Sequence, residues 1–220
     1  MNPTTIIRLR RPAIVSLGDR DWLPDPHLRD EAERRWAAMR SANRRLYDGK
    51  MIQVAGVHRN GAGGAVIQGF PCAFRWYAVQ SEADETGPSH DCMCRPLGVK
   101  GVTRCGERVL LGRRAQWTTW QAGWWELAPS GGVEPGNSPE QALAAEYAEE
   151  IGRVLSSTPR AEAVMFDPNT RTWEVVLTVE MPTDDIGFNT GEYEAFRWVR
   201  PSEIPDDTTP IARRILDQLG

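Results

Sequence analysis

The chain has 220 residues, 40% of them apolar and 25% charged, and its formal net charge is −4. This composition is that of a globular protein, and no apolar run is long enough to span a membrane. The net negative charge excludes a general attraction to nucleic acid, so neither a nucleic acid nor a membrane is expected as a partner. The first residues lack the continuous apolar segment of a signal peptide, which predicts a cytoplasmic protein.

The first half of the chain combines one predicted helix with several predicted strands. Residues 28–46 have helical composition, with apolar side chains at Trp36, Met39 and Leu46, and predict a helix. Residues 80–91 are acidic and rich in turn formers, which predicts an exposed loop or a domain boundary. Three runs rich in strand-forming residues predict strands at 50–58, 64–70 and 72–79.

The second half contains predicted strands on both sides of a predicted helix. Residues 97–104 and 107–114 predict a hairpin that turns at Cys105 and Gly106. A final helix is predicted over residues 210–219. Further strands are predicted at 124–128, 161–167, 172–181 and 192–199. This order predicts an α/β (α+β) fold with a mixed sheet covered by helices.

Four cysteines raise the question of disulfides or zinc. In a chain of this length without a secretion signal, free thiols are expected. His90, Cys92 and Cys94 lie close together, which is a feature of zinc sites. Their C-x-C spacing is shorter than that of a zinc knuckle, and Cys72 and Cys105 form no second pair, so we disfavour zinc.

The segment "PSGGVEPGNSPEQALAAEYAEEIG", residues 129–152, contains five glutamates. Ser138 and Gln141 form a predicted capping box around Pro139, and Gly152 can end a helix in the left-handed conformation. A helix over residues 139–151 is therefore predicted. At about 100° per residue its core face comprises Ala144, Tyr147, Ala148 and Ile151.

Glu146, Glu149 and Glu150 share the opposite face of this predicted helix. Like charges at this spacing repel by a few tenths of a kcal/mol per pair, and residues 139–151 contain no lysine or arginine. A divalent cation such as Mg²⁺ would turn the repulsion into coordination. The spacing alone leaves two interpretations open, a solvated acidic face and a metal site.

The same segment resembles the Nudix box, G-x5-E-x7-R-E-U-x-E-E-x-G-U, in which U is a bulky aliphatic residue. The matching positions are Gly131, Glu146, Glu149, Glu150 and Gly152. The segments "GWWELAPSGG" and "YEAFRWV" are also similar to parts of this family. The resemblance implies a Nudix-like α/β/α sandwich with a mixed sheet over residues 96–220, preceded by a helix-plus-strands region over residues 1–95 that packs on it.

The resemblance also implies a metal site and a reaction. Its metal ligands would be Glu146, Glu149 and Glu150 with the carbonyl of Gly131, and its ion Mg²⁺, with Mn²⁺ as the alternative. The implied reaction is hydrolysis of a diphosphate (pyrophosphate) linkage by water. Glu150 would bridge metal ions, and the general base would be Glu149, Glu192 or Glu194.

Four positions depart from the box. Asn137 replaces its first glutamate, Ala145 its arginine and Arg153 its last aliphatic residue. Tyr147 replaces the aliphatic residue before the paired glutamates. In the family the arginine helps to orient a catalytic glutamate, so one support of the site is missing in this chain.

The substrate is predicted from the residues before the box and from the N-terminal half. Trp117 and Trp120 lie in a predicted loop, where they either stack on a base or sugar or pack against the N-terminal region. Arg113 and Arg114 are predicted to bind substrate as well. The N-terminal layout is similar to that of the Nudix branch that cleaves UDP-glucose, which favours a nucleotide sugar, UDP-sugars first.

Two other functions stay open. One is hydrolysis of a different nucleotide-type small molecule, such as a nucleoside triphosphate or ADP-ribose. The other is a Nudix-fold ligand sensor that has lost turnover together with the box arginine. Because Nudix-like proteins often dimerise, a homodimer is an expectation from the resemblance.

Overall fold

The computed structural model describes residues 5–80, 92–118, 120–187 and 191–219. Its first part alternates short and long strands with two helices. These elements are β1 (Ile6–Arg8), β2 (Ile14–Leu17), α1 (Pro26–Ala42), β3 (Lys50–Arg59), β4 (Ala65–Ala73) and α2 (Phe74–Ala78).

The second part contains seven strands, two α-helices, a π-helical turn and a 3-10 turn in the residues described. Its elements are β5 (Leu97–Cys105), β6 (Arg108–Arg114), β7 (Trp125–Leu127), β8 (Ser130–Gly132), α3 (Pro139–Glu146), the π turn Tyr147–Ile151, β9 (Arg160–Asp167), β10 (Thr172–Glu180), β11 (Tyr193–Val199), the 3-10 turn Pro201–Glu203 and α4 (Pro210–Leu219).

The main sheet has eight strands in the order β1-β9-β10-β5-β6-β11, with β7 beside β6 and β8 beside β5. β10 and β5 are parallel, whereas the other neighbours are antiparallel, so the sheet is mixed as predicted. A second sheet contains β2, β4 and β3. β1 pairs with β9, so residues of the N-terminal region belong to the main sheet. The division into regions 1–95 and 96–220 stays a prediction.

The two faces of the main sheet carry different layers. Along β10, Val175, Leu177 and Val179 belong to the same apolar cluster as Leu143 of α3 and Ile67 of the second sheet. Val176 faces the opposite side, in a cluster with one apolar face of α4 formed by Ile211, Ala212, Ile215 and Leu216. This alternation along one strand produces the α/β/α layering that the sequence predicts.

Most predicted elements are confirmed, with shifted ends. The hairpin of β5 and β6 turns through Gly106, whose φ of 59° favours glycine. The capping box is present: Ser138 Oγ accepts from Gln141 N at 3.2 Å, and Gln141 Oε1 accepts from Ser138 N at 2.8 Å. Gly152, with a φ of 68°, ends the helical segment over residues 139–151, which we call the acidic helix. α1 spans Pro26–Ala42 instead of 28–46 because Asn43 adopts an extended conformation.

The predicted strand at 72–79 is wrong beyond Ala73. The chain turns there into α2, and the carboxylate of Asp48 accepts from the backbone N–H of Arg75 at 2.9 Å. Trp76 and Tyr77 are buried in a third apolar cluster with Trp36 of α1. Tertiary packing therefore overrides the strand preference of these aromatic residues.

All four cysteines are free, and three of them are buried. His90, part of the zinc interpretation, lies outside the described residues. Within the described ranges no helix combines the length and the apolar character needed to cross a membrane. The cytoplasmic location stays a prediction.

Candidate active site

A cleft of about 560 Å³ opens between the N-terminal region and the acidic helix. The N-terminal region contributes Arg45 and Tyr77, and β5 contributes Lys100. The cleft is lined on the acidic side by Glu134, Glu146, Glu149 and Glu192. The structure therefore brings most of the predicted site carboxylates to one cavity.

Glu146 lies directly against the backbone of Gly131. A Cβ atom added to Gly131 would lie 1.8 Å from Oε1 of Glu146, so any side chain at position 131 would displace this carboxylate. Burial, followed by the negative charges of Glu192, Glu149 and Glu134, raises the pKa of Glu146 to about 8. The absence of a side chain at position 131 thus creates the space for a carboxylate in a strongly acidic environment.

Glu150 lies behind this carboxylate. It is 6% exposed, and its Oε2 accepts a hydrogen bond from the backbone N–H of Ser130 at 3.2 Å. Burial raises its pKa well above the usual value, with Glu146 as the next contributor. The prediction that Glu146, Glu149 and Glu150 form one open face is therefore only partly right, because Glu150 is turned inward.

Glu150 lies in the π turn Tyr147–Ile151. Its wider hydrogen-bonding repeat departs from the 100° spacing of an α-helix. Tyr147 and Ile151 are buried as predicted, but Ala148 is exposed, so its assignment to the core face is wrong. Because Glu150 is buried while Glu149 stays exposed, the two neighbouring glutamates have different environments.

A buried ionic cluster centres on Glu126, which the sequence analysis missed. Glu126 is 1% exposed and lies 2.7 Å from Nζ of Lys100 and 2.5 Å from Nη1 of Arg114. Burial opposes its ionisation, but these two cations overcome that effect and lower its pKa to about 2. Arg114, predicted to bind substrate, is thus an ion-pair partner at the cleft wall.

Two aromatic contacts join the N-terminal region to the predicted loop. Trp120 stacks on Tyr77, with ring centroids 5.4 Å apart and an interplanar angle of 23°. The guanidinium of Arg45 lies 5.1 Å from the ring centroid of Trp117. Both tryptophans line the cleft and contact the N-terminal region, so packing against that region is observed, whereas stacking on a base or sugar stays a prediction. The cleft lining includes Arg114, whereas Arg113 pairs with Glu194 at 3.3 Å.

The part of the cleft lined by β10 and the residues just before it is rich in hydrogen-bond acceptors. We call this surface the acceptor floor; it consists of Asp167, Thr170, Thr172 and Glu174. Thr170 Oγ1 donates to Asp167 Oδ2 at 2.9 Å, and Thr172 Oγ1 donates to Glu174 Oε1 at 2.7 Å. Burial raises the pKa of Glu174 to about 6. Because the hydroxyl protons are used internally, the floor offers acceptors to a ligand.

Comparison with known proteins agrees with this architecture. A family model of the NUDIX domain matches residues 95–219, more than half of the chain. The chain belongs to the NUDIX family. It is therefore a Nudix-type hydrolase, and both the predicted family and the predicted fold class are confirmed.

Solved Nudix structures share the fold at low sequence identity. A MutT NUDIX hydrolase from Burkholderia pseudomallei is 22% identical and aligns with a TM-score of 0.50 over 56% of this chain and 97% of its own. A MutT protein from Methanosarcina mazei is also 22% identical, with a TM-score of 0.46 over 56% and 90% of the two chains. The NUDIX domain of NrtR from Shewanella oneidensis, solved with ADP ribose, is 18% identical, with a TM-score of 0.45 over 57% and 86%. No curated protein matches the chain.

Two of the positions at which this Nudix chain departs from the box lie at the cleft. Asn137 and Ala145 both line it, close to the acidic residues in the fold. Arg153, the third departure, forms an ion pair with Asp185 instead of packing in the core. The two residues that replace the box glutamate and arginine therefore change the site itself.

The residues at the acidic end suit a hard divalent cation. All donors there are carboxylate or carbonyl oxygens, which are the ligands that Mg²⁺ and Mn²⁺ prefer. Glu146 fills the space above Gly131, so its carboxylate is already at the cleft. Among the residues that the structure describes, no three His, Cys, Asp or Glu side chains stand in a ready coordinating arrangement. Ion binding would have to draw the carboxylates together.

The raised pKa values make the metal-free protein sensitive to pH. Because the folded-state pKa values of Glu146 and Glu150 lie above the ordinary glutamate value of 4.5, the folded protein should bind more protons than the unfolded chain as pH rises from 5. Stability should therefore fall as pH rises from 5 to 8. A loss of about 2 kcal/mol would lower the melting temperature by roughly 4–8 °C. Calorimetry in EDTA measures this slope.

Divalent cations are expected to reverse this loss. Mg²⁺ at about 100 times its dissociation constant should add about 3 kcal/mol of stability. Glu146→Gln should flatten the pH slope, whereas Glu140→Gln, at the start of α3, should leave it unchanged. A metal-free protein whose melting temperature is constant or rises between pH 5 and 8 would contradict the expectation.

Sequence reasoning overlooked the charged residues inside strands. Lys100, Glu126 and Glu174 lie within apolar strand segments, "GVKGV", "WWELA" and "TWEVVL". A charged residue at a buried position in a strand is costly without a partner, so its presence indicates a paired or functional group. That rule could have identified all three.

Proposed function

We propose that the protein is a divalent-metal-dependent hydrolase that cleaves the diphosphate linkage of a nucleoside diphosphate derivative. The observation that carries the proposal is the group of carboxylates at one end of the cleft, with Glu146 seated against Gly131. Such a group repels itself unless cations neutralise it, and a diphosphate substrate needs the same neutralisation. The cation is Mg²⁺, with Mn²⁺ as the alternative.

Within this proposal, Glu146, Glu149 and Glu150 hold the ions together with the carbonyl of Gly131. When bound there, divalent ions would supply positive charge to the phosphates and lower the pKa of the attacking water. Glu192 accepts a proton from that water, with Glu149 as the second candidate. The pKa of Glu192 is raised, due first to burial, which favours uptake of a proton by this carboxylate.

A nucleotide sugar is the proposed substrate, and the acceptor floor supports it. Carboxylates and hydroxyl oxygens that accept hydrogen bonds complement the hydroxyl groups of a sugar. The same carboxylates would repel the third phosphate of a nucleoside triphosphate. The ring pair Tyr77 and Trp120 supplies a flat apolar wall for a base or sugar. Among nucleotide sugars, UDP-sugars are the first candidates because the N-terminal layout is similar to that of the Nudix branch that cleaves UDP-glucose.

The experiment is a substrate panel with Mg²⁺ at pH 8. It compares UDP-glucose, other nucleotide sugars, ADP-ribose and nucleoside triphosphates, with release of monophosphate or phosphate as the measurement. The proposal expects kcat/KM for a nucleotide sugar to exceed that for every triphosphate by at least about tenfold. Faster triphosphate or ADP-ribose hydrolysis would favour another hydrolase function. Tight binding without turnover of any compound would favour the sensor.

Glu174→Gln tests the acceptor floor. Glutamine keeps the size of the side chain but removes its charge, which should lower kcat/KM for the sugar substrate by about tenfold through KM. Because a repulsion is removed, triphosphate hydrolysis should stay equal or increase. Glu180→Gln, at the exposed end of the same strand, is the matched control. It should change neither kcat/KM for the sugar substrate nor the rate of triphosphate hydrolysis. An equal loss for both substrate classes would contradict a role in sugar recognition.

The expected homodimer and the absence of nucleic-acid and membrane partners stay predictions. A small nucleotide-type molecule is the proposed ligand.

A further inference from the structure

The acidic helix contains no basic side chain. Residues 139–151 contain no lysine or arginine, and Ala145, which stands at the position of the box arginine, is exposed at the cleft. Any lysine or arginine that orients the carboxylates of the site must therefore come from another helix or strand.

Arg114, the last residue of β6, is the side chain in the cleft that contacts two carboxylates. Its Nη1 lies 2.5 Å from Oε1 of Glu126, and its Nη2 lies 3.6 Å from Oε2 of Glu192. Its Nε donates to the carbonyl of Trp120 at 2.8 Å. The side chain is only 13% exposed. Because a guanidinium is planar and three of its nitrogens have separate partners, its orientation is fixed.

Glu126 connects this arginine to the acidic helix. The hydroxyl of Tyr193 donates to Glu126 Oε1 at 3.2 Å and lies 3.1 Å from Oγ of Ser130. The backbone N–H of Ser130 in turn donates to Glu150 at 3.2 Å. A continuous set of contacts therefore runs from Glu192 through Arg114 and Glu126 to Glu150.

We propose that Arg114 and Glu126 form a positioning pair that holds Glu192 and Glu150 for the reaction. The pair supplies, from β6 and β7, the orientation that the missing box arginine would have supplied from position 145. This inference rests on the proposed function, which assigns Glu192 and Glu150 to hydrolysis. It also differs from the sequence prediction for Arg114, because a substrate ligand would act mainly on KM and a positioning residue on kcat.

The test compares Arg114→Gln and Arg114→Lys with Arg108→Gln. Arg108 lies on the same strand and forms an exposed ion pair with Asp184 at 2.9 Å, which makes it a matched control. Arg114→Gln should lower kcat by about 10–100-fold and change KM by less than about twofold. Arg114→Lys keeps the positive charge but loses the planar guanidinium that contacts two carboxylates at once. Its kcat should therefore lie between those of the wild type and Arg114→Gln. Arg108→Gln should leave kcat within about twofold.

A second measurement follows the site without catalysis. Mn²⁺ binding, measured by electron paramagnetic resonance on metal-free protein, should weaken about tenfold in Arg114→Gln and stay unchanged in Arg108→Gln. Cooperative thermal unfolding and an unchanged circular dichroism spectrum identify folded variants. If the wild type binds Mn²⁺ but hydrolyses no compound of the panel, the proposed function fails, and the positioning pair is still judged by Mn²⁺ affinity.

Two results would overturn the inference. An increase of KM of about tenfold or more with unchanged kcat would make Arg114 a substrate ligand. Effects of Arg114→Gln on kcat and Mn²⁺ affinity no larger than those of Arg108→Gln would show that the pair positions nothing.

Discussion

Replacing Glu150 with glutamine is expected to lower kcat for the preferred diphosphate substrate by about 10²–10³-fold, or roughly 3–4 kcal/mol of transition-state stabilisation. The amide keeps the volume of the side chain, and its oxygen can still accept the hydrogen bond from Ser130 N. Only the negative charge is lost. Because Glu150 is buried, no solvent water can replace that charge at the proposed metal site. Steady-state kinetics at saturating Mg²⁺ measure the effect.

The matched control for this variant is Glu140→Gln. Glu140 lies in the first turn of the same helix and outside the cleft lining. The Glu140→Gln variant should retain kcat within about twofold. It should lose only a few tenths of a kcal/mol of stability, because a negative charge in the first turn interacts favourably with the helix dipole. If Glu150→Gln kept full hydrolysis while Glu146→Gln lost it, the metal role would belong to the exposed glutamates alone.

Gly131→Ala is expected to lower kcat/KM by about 10²-fold with little loss of stability. The new Cβ would lie 1.8 Å from Oε1 and 2.2 Å from Cδ of Glu146, so this carboxylate must move. The clash involves the end of a flexible side chain, which can rotate, so the fold should survive with a change of about 1 kcal/mol or less. A displacement of about 1 Å in a reacting group can cost 10²-fold in rate. Mg²⁺ affinity, measured by calorimetry, should fall in parallel.

The neighbouring glycine provides the control. A Cβ on Gly132 meets nothing within 4 Å, and both glycines belong to β8. Gly132→Ala should therefore keep both the rate and the Mg²⁺ affinity close to the wild-type values. Equal losses in the two variants would mean that the strand backbone, and not the position of Glu146, is responsible.

Local sequence features predicted much of the fold. The capping box at Ser138, the stop at Gly152 and the hairpin at Gly106 depend on residues a few positions apart, so a single sequence contains them. β1 and α2 were missed because their formation depends on partners far along the chain. β1 has three residues and pairs with β9, and α2 is fixed by packing against α1.

The candidate site was predicted less completely than the fold. Spacing identified Glu146 and Glu149 at the cleft, but a constant helical repeat could not reveal the π turn that contains Glu150 or the burial of its carboxylate. Glu126 and Glu174 were missed because their neighbours read as ordinary strand residues. The partners that make these buried charges tolerable, such as Lys100, come from other strands and are known only once the sheet order is known.

The pairing of β1 with β9 has a consequence for the behaviour of the chain in solution. Without β1, β9 would be an edge strand of the main sheet, and its unpaired N–H and C=O groups could form hydrogen bonds with another chain. Residues 6–8 cover those groups with a strand too short to recruit a further partner efficiently. We therefore expect residues 6–8 to limit edge-to-edge association of the main sheet, in addition to the part that the N-terminal region plays in the walls of the cleft.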